Sequence, residues 1–122
     1  MKKFTYKNYR NCFFIVSSYA ADEDAMAISI ENNSEGPICT STIYDRDGIY
    51  CSGITTIKNY SDNSFMTKFL EELGIIESII DRRPCNPHVY NTLNTEDPQT
   101  IDTCVINLEK LKEYTKEWNY NV

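Results

Sequence analysis

Between Asp62 and Gly74 the apolar residues follow a helical period. Phe65, Phe69 and Leu73 fall at i, i+4, i+8, and Met66, Leu70 and Leu73 at i, i+4, i+7, so the two rows merge into one broad stripe. Asp62, Asn63 or Ser64 can accept from the first free backbone N–H groups, and Gly74 can end the helix in the left-handed conformation without a Cβ penalty. A helix over about 62–73 is expected, and one so short must pack on something else to persist in water.

Upstream the period is two. Phe4 and Tyr6 alternate with polar neighbours, Asn8 to Asn11 read as a turn, and Cys12 to Tyr19 is rich in β-forming residues with Phe14 and Val16 on one face and Phe13 and Ile15 on the other. Met26, Ile28 and Ile30 alternate with Ala27, Ser29 and Glu31; Ile38 to Tyr44 alternates again. Turn chemistry separates these runs at Asn32 to Gly36 and at Asp45 to Gly48, the latter a hairpin signal leading into Ile49 to Ile57, where Gly53 marks a bulge. Such spacing predicts an antiparallel meander over about 3–58 with the helix laid across one face.

Beyond Gly74, Ile75 to Ile80 reads as a strand or a short continuation of the helix. Residues 81–99 hold three of the four prolines, the adjacent arginines Arg82 and Arg83, His88 and Tyr90, with almost no periodicity, and read as a long irregular loop of the kind that often carries function. Thr100 to Ile106 reads as a last strand. Asn107 is a good N-cap, after which Leu108, Leu111, Tyr114 or Thr115, and Trp118 recur at helical spacing to about 119. That terminal helix can pack in cis or on a second copy, so a homo-oligomer is among the expected arrangements. The fold class expected is α+β: one domain of 122 residues, an antiparallel β-meander packed by a central helix, with a C-terminal helix.

Charge narrows the partners. Eighteen acidic against twelve basic side chains give −6, which argues against direct nucleic-acid binding and suits docking onto a basic partner. The acidic runs Asp22, Glu23, Asp24 and Glu71, Glu72 are the candidate partner-binding residues, though each also reads as a plain solvated face. No apolar run is long enough to cross a bilayer, and the polar, aromatic start is not a signal-peptide h-region, so a cytosolic protein away from membranes is expected. The five cysteines, Cys12, Cys39, Cys51, Cys85 and Cys104, are scattered without a CxxC pair; no metal and no cofactor are expected, and the thiols serve as small hydrophobes. Cys85 and His88 are separated by Asn86 and Pro87, a turn rather than a held catalytic geometry.

Gly-rich phosphate loop, nucleophile elbow and desolvated acid pair are all missing from the sequence, so no catalytic residue is assigned and the chain reads as a non-enzyme. The candidate ligand-binding residues are Arg82 and Arg83 as bidentate anion donors, Tyr90 as a stacking ring and His88 as a further donor. The plainer alternative is that the two arginines neutralise local acids.

Three segments carry a resemblance: FTYKNYR at 4–10, IKNYSDN at 57–63, and the helix from Met66 that ends LEELGII at 70–76. They are similar to a family of small proteins carried by phages and conjugative elements of Gram-positive bacteria, over roughly residues 4–76. The resemblance implies a setting rather than a chemistry: a counter-defence protein in the host bacterial cytosol, of the anti-CRISPR kind, whose acidic surface covers a basic face on a host immune effector. It also admits an oligomeric sponge that sequesters a nucleotide immune signal, or an accessory regulatory protein of the mobile element.

Overall fold

The computed structural model describes residues 1–86 and 98–121. Its architecture is α+β, with antiparallel pairing dominant. The first sheet takes β1 (Phe4–Tyr6), β2 (Tyr9–Tyr19), β3 (Asp22–Asn32) and β4 (Gly36–Thr40) in that order, each antiparallel to the next. The register follows from the period-two pattern. Phe14 pairs with Ile30 and Val16 with Ile28, so all four side chains enter one core and are fully buried. On the other face of β2, Phe13 is buried beneath the Lys116 ammonium, 4.9 Å from its ring centroid.

The strands do not form a single meander. After β4 the backbone crosses to a second sheet of β5 (Ile54–Asn59), β6 (Ile76–Pro84) and β7 (Thr100–Ile106), ordered β5-β7-β6. Residues 41–43 stitch the two sheets together: Ser41 N donates to Ile28 O (2.8 Å), Lys58 N to Ser41 O (2.9 Å) and Ile43 N to Thr56 O (3.1 Å). The result is one curled surface.

A single 3₁₀ turn (Ser61–Asn63) precedes α1 (Met66–Glu72), whose Met66 and Leu70 are fully buried. Phe69 reaches across to β1, its ring 5.6 Å from Phe4 and 5.1 Å from Tyr6. The helix therefore packs on β5 and β6 and reaches β1 through Phe69. It starts later than its apolar stripe suggests, because Asn63 donates its amide to Thr40 O (2.7 Å) instead of capping, and Phe65 occupies the N-cap position.

Two further expectations are corrected. The irregular segment expected over 81–99 is strand through Pro84: Arg82 pairs with Asp102 and Arg83 with Ile101. The C-terminal helix expected to about 119 stops at Glu113. α2 (Leu108–Glu113) is capped by the Asn107 side chain, and the chain then continues as β8 (Thr115–Trp118), parallel to β2. The reason is backbone satisfaction. β1 covers only the first part of β2's outer edge, and the tail supplies the rest: Phe14 N donates to Tyr114 O and Asn119 N to Val16 O, both at 2.8 Å. Thr115 Oγ1 closes the helix by donating to Leu111 O (2.7 Å).

All five cysteines are free, with Cys12 and Cys104 buried and Cys51 exposed. Burial pushes the Cys12, Cys39 and Cys104 thiols up, away from the reactive thiolate. Among the described residues no helix is long and apolar enough to cross a membrane.

Candidate functional site

Arg82 and Arg83 are neighbours on a strand, so they leave β6 on opposite faces and do not converge on one ligand. The arrangement of Arg82, Arg83, His88 and Tyr90 as one pocket is therefore not formed by its two arginines; His88 and Tyr90 lie outside the described residues.

Arg82 serves a buried acid. Asp102 stands on the inward face of β7 with no exposed surface, and Arg82 donates to it from Nε (2.8 Å) and a terminal nitrogen (2.9 Å). From α1 the Thr67 hydroxyl donates to the same carboxylate at 2.6 Å. The bond to Asp102 holds the Arg82 proton more tightly than usual. The network continues: Thr67 N donates to Asn59 Oδ1 (3.0 Å), and Asn59 Nδ2 donates to Pro98 O (2.7 Å). The sequence carried one sign of this, since Asp102 shares the strand phase of Cys104 and Ile106. An acid on a buried phase requires a partner.

On the outward face of β6 a second constellation gathers around the turn at Asp45–Gly48. Gly48 N donates to Asp45 O (2.8 Å), and Asp47 N to Asp45 Oδ1 (3.1 Å). The turn does not join two adjoining strands; the antiparallel pairing across it is the bridge of Thr42 with Ile57. Ile49 to Ile57 is not one strand, for β5 begins only at Ile54, after Gly53 at φ +82°. The intervening loop hangs on Tyr50. Its hydroxyl accepts from Asp45 N (2.6 Å) and shares a hydrogen bond with the Thr56 hydroxyl (2.8 Å), while its ring stacks on Tyr44 at 5.4 Å. Pinned in this way, the loop throws Ile49 outward, 68% exposed.

Ile80 meets it from β6. The pairing of β6 with β7 shifts between Ile79 and Asp81, leaving Ile80 in a bulge, 52% exposed. Ile49 and Ile80 line one concavity of about 180 Å³ with Asp45, Asp47, Asp81 and Arg83. Arg83 is paired with Asp45, and Asp47 and Asp81 form no ion pair among the described residues.

The acids singled out from the sequence sit elsewhere on the surface. Glu23 and Asp24 are exposed and Asp22 half-buried on the β2–β3 hairpin, where Asp22 Oδ1 accepts from Asp24 N (2.9 Å) and Asp24 O from the Tyr120 hydroxyl (2.7 Å). Glu71 and Glu72 are exposed at the end of α1. Sequence reasoning passed over Asp45, Asp47 and Asp81, along with both isoleucines. Ile49 reads as part of an alternating strand and Ile80 as part of an apolar run, and only the bulge and the Tyr50 loop turn them to solvent.

Gly48 gives a direct test of how the patch is held. A Cβ there would lie 2.9 Å from the Asp45 carbonyl and 3.0 Å from the Tyr50 ring. Gly48→Ala is therefore expected to cost about 1–3 kcal/mol, as overpacking does, and to speed hydrogen exchange at the Asp45 amide. An unchanged exchange rate would mean that the loop does not depend on this close approach.

Comparison with protein families, with curated proteins and with solved structures returns no match for this chain.

Proposed function

We propose that this is a non-catalytic capture protein of a mobile genetic element, acting in the host cytosol, which lays the Ile49–Ile80 patch against a basic face of a host immune effector. The observation that carries the reading is the pairing of two solvent-facing isoleucines, from different elements, inside a rim of three aspartates and one arginine. An apolar centre with a charged rim is the anatomy of a protein interface. With three acids against one base, this rim selects a partner of the opposite sign. The net charge of −6, with Asp22, Glu23, Asp24, Glu71 and Glu72 exposed or half-exposed, adds a long-range pull toward such a partner. The segments at 4–10, 57–63 and 70–76 that resemble proteins of phages and conjugative elements supply the setting. A nucleotide sponge built on Arg82 and Arg83 is less favoured, since the two arginines are committed to different acids on different faces.

The test is co-purification with nuclease-based immune complexes and relief of their interference in cells. Ile49→Lys/Ile80→Lys changes two exposed positions and should leave the unfolding midpoint in place. It should weaken capture by about 30-fold or more, the effect of losing a hot spot of about 2 kcal/mol. Capture by this double variant as tight as that of the parent chain would refute the assignment of the patch.

A further inference from the structure

The opposite face of β6 carries a second feature, independent of the isoleucine patch. Between α1 and β6 lies a cavity of about 270 Å³ whose walls include Arg82, Lys68, Glu71 and Phe65. Arg82 has five N–H donors and spends two on Asp102, which leaves three on a side chain about one-third exposed. The buried carboxylate fixes the plane of the guanidinium, so the donors that remain are already oriented. Glu71 is near enough for its charge to strengthen Arg82's hold on its proton, yet no ion pair closes between them among the described residues. Opposite charges thus face each other across the cavity without meeting.

Phe65 forms the lip. Its backbone is left-handed, φ +63°, a conformation that costs an L-residue free energy, and its ring is 48% exposed. Phe65 and Lys68 also line the adjoining groove of about 410 Å³, where Tyr6 and Phe69 supply apolar walls. The Tyr6 hydroxyl, facing the Cys39 thiol, closes no hydrogen bond of ordinary geometry among the described residues, and burial pushes its proton affinity up.

We infer that the cavity binds a small zwitterion, an α-amino acid with a large apolar side chain. Its carboxylate lies on the outer edge of Arg82, its ammonium on Glu71, and its side chain crosses Phe65 into the neighbouring groove. Charge balance selects this class. Arg82 and Lys68 are matched by Glu71 and by Asp102 behind the guanidinium, so a net-neutral ligand fits where a phosphate dianion would be driven against two carboxylates. Size agrees, since the polar cavity falls below the range of about 300–1,000 Å³ that holds drug-sized molecules.

Titration calorimetry with L-phenylalanine, alongside amide shifts at Phe65, Thr67 and Lys68, tests this. Hydrocinnamate (no ammonium) and phenethylamine (no carboxylate) should each bind about 10-fold more weakly or worse, each having lost one charged contact. Glu71→Gln should weaken phenylalanine by a similar factor and tighten hydrocinnamate, whose carboxylate no longer meets a like charge, and a general structural defect would not split the two in this way. Phe65→Gly keeps the left-handed backbone available and removes the ring, so it should lower affinity while the β5 and β7 amides keep their exchange protection. The Ile49→Lys/Ile80→Lys variant should bind phenylalanine normally, which separates this site from the interface. Absence of amide shifts at millimolar phenylalanine, tighter binding of adenosine monophosphate, or indifference to Glu71→Gln would each overturn the inference.

Discussion

Replacing Arg82 by methionine is expected to remove about 3 kcal/mol of stability, read as a shift of the urea midpoint at constant slope. Asp102 has no exposed surface, and without Arg82 its carboxylate would keep, among the described residues, only the Thr67 hydroxyl. The figure sits at the low end of the usual range because Arg82 is itself about one-third exposed, so water already screens the pair. Against a total of about 5–15 kcal/mol for a domain, the loss is large. The opposite single change, Asp102→Leu, should cost less, since a guanidinium at the surface can turn to water while a carboxylate inside the sheet cannot. The double variant, Arg82→Met with Asp102→Leu, should recover most of the deficit and keep a remainder of about 1 kcal/mol from the orphaned Thr67 hydroxyl. Equal costs for the two single changes would show that desolvation of Asp102 is not the governing effect.

That pair also marks the limit of what the sequence shows by itself. Patterns within a segment were legible: Phe14 and Val16 against Met26, Ile28 and Ile30 gave β2 and β3, and the stripe through Met66, Phe69 and Leu70 is the face that α1 buries or half-buries. Partners across the sheet were not. Arg82, Arg83 and Pro84 look like loop until Asp102 is seen opposite, and Trp118 keeps helical spacing with Leu111 until the open edge of β2 claims Thr115–Trp118. The binding surfaces obey the same rule. Exposed acids announce themselves by composition. Ile49 and Ile80 are turned outward by a turn, a tyrosine hub and a bulge, none of which a hydropathy pattern encodes.

The start of α1 depends on the same kind of distant partner, and it yields the second large expected effect. Asn59, 2% exposed at the end of β5, accepts from Thr67 N with Oδ1 and donates to Pro98 O with Nδ2. In effect it caps the helix from eight residues upstream, where a local cap from Asp62, Asn63 or Ser64 was expected. Asn59→Ala strands the buried Thr67 N–H, at about 1–3 kcal/mol, and leaves Pro98 O with only the long bond from the Thr100 hydroxyl (3.5 Å), so a loss of about 2–3 kcal/mol is expected. Hydrogen exchange assigns the cause, since the Thr67 amide should lose protection well before the amides of β5 and β7. Because Phe65 and Lys68 flank that first turn, phenylalanine affinity should fall in the same variant even under conditions where it remains folded. Should the Thr67 amide stay protected, burial of Met66 and Leu70 alone would suffice to hold the helix start, and the left-handed Phe65 would need another support.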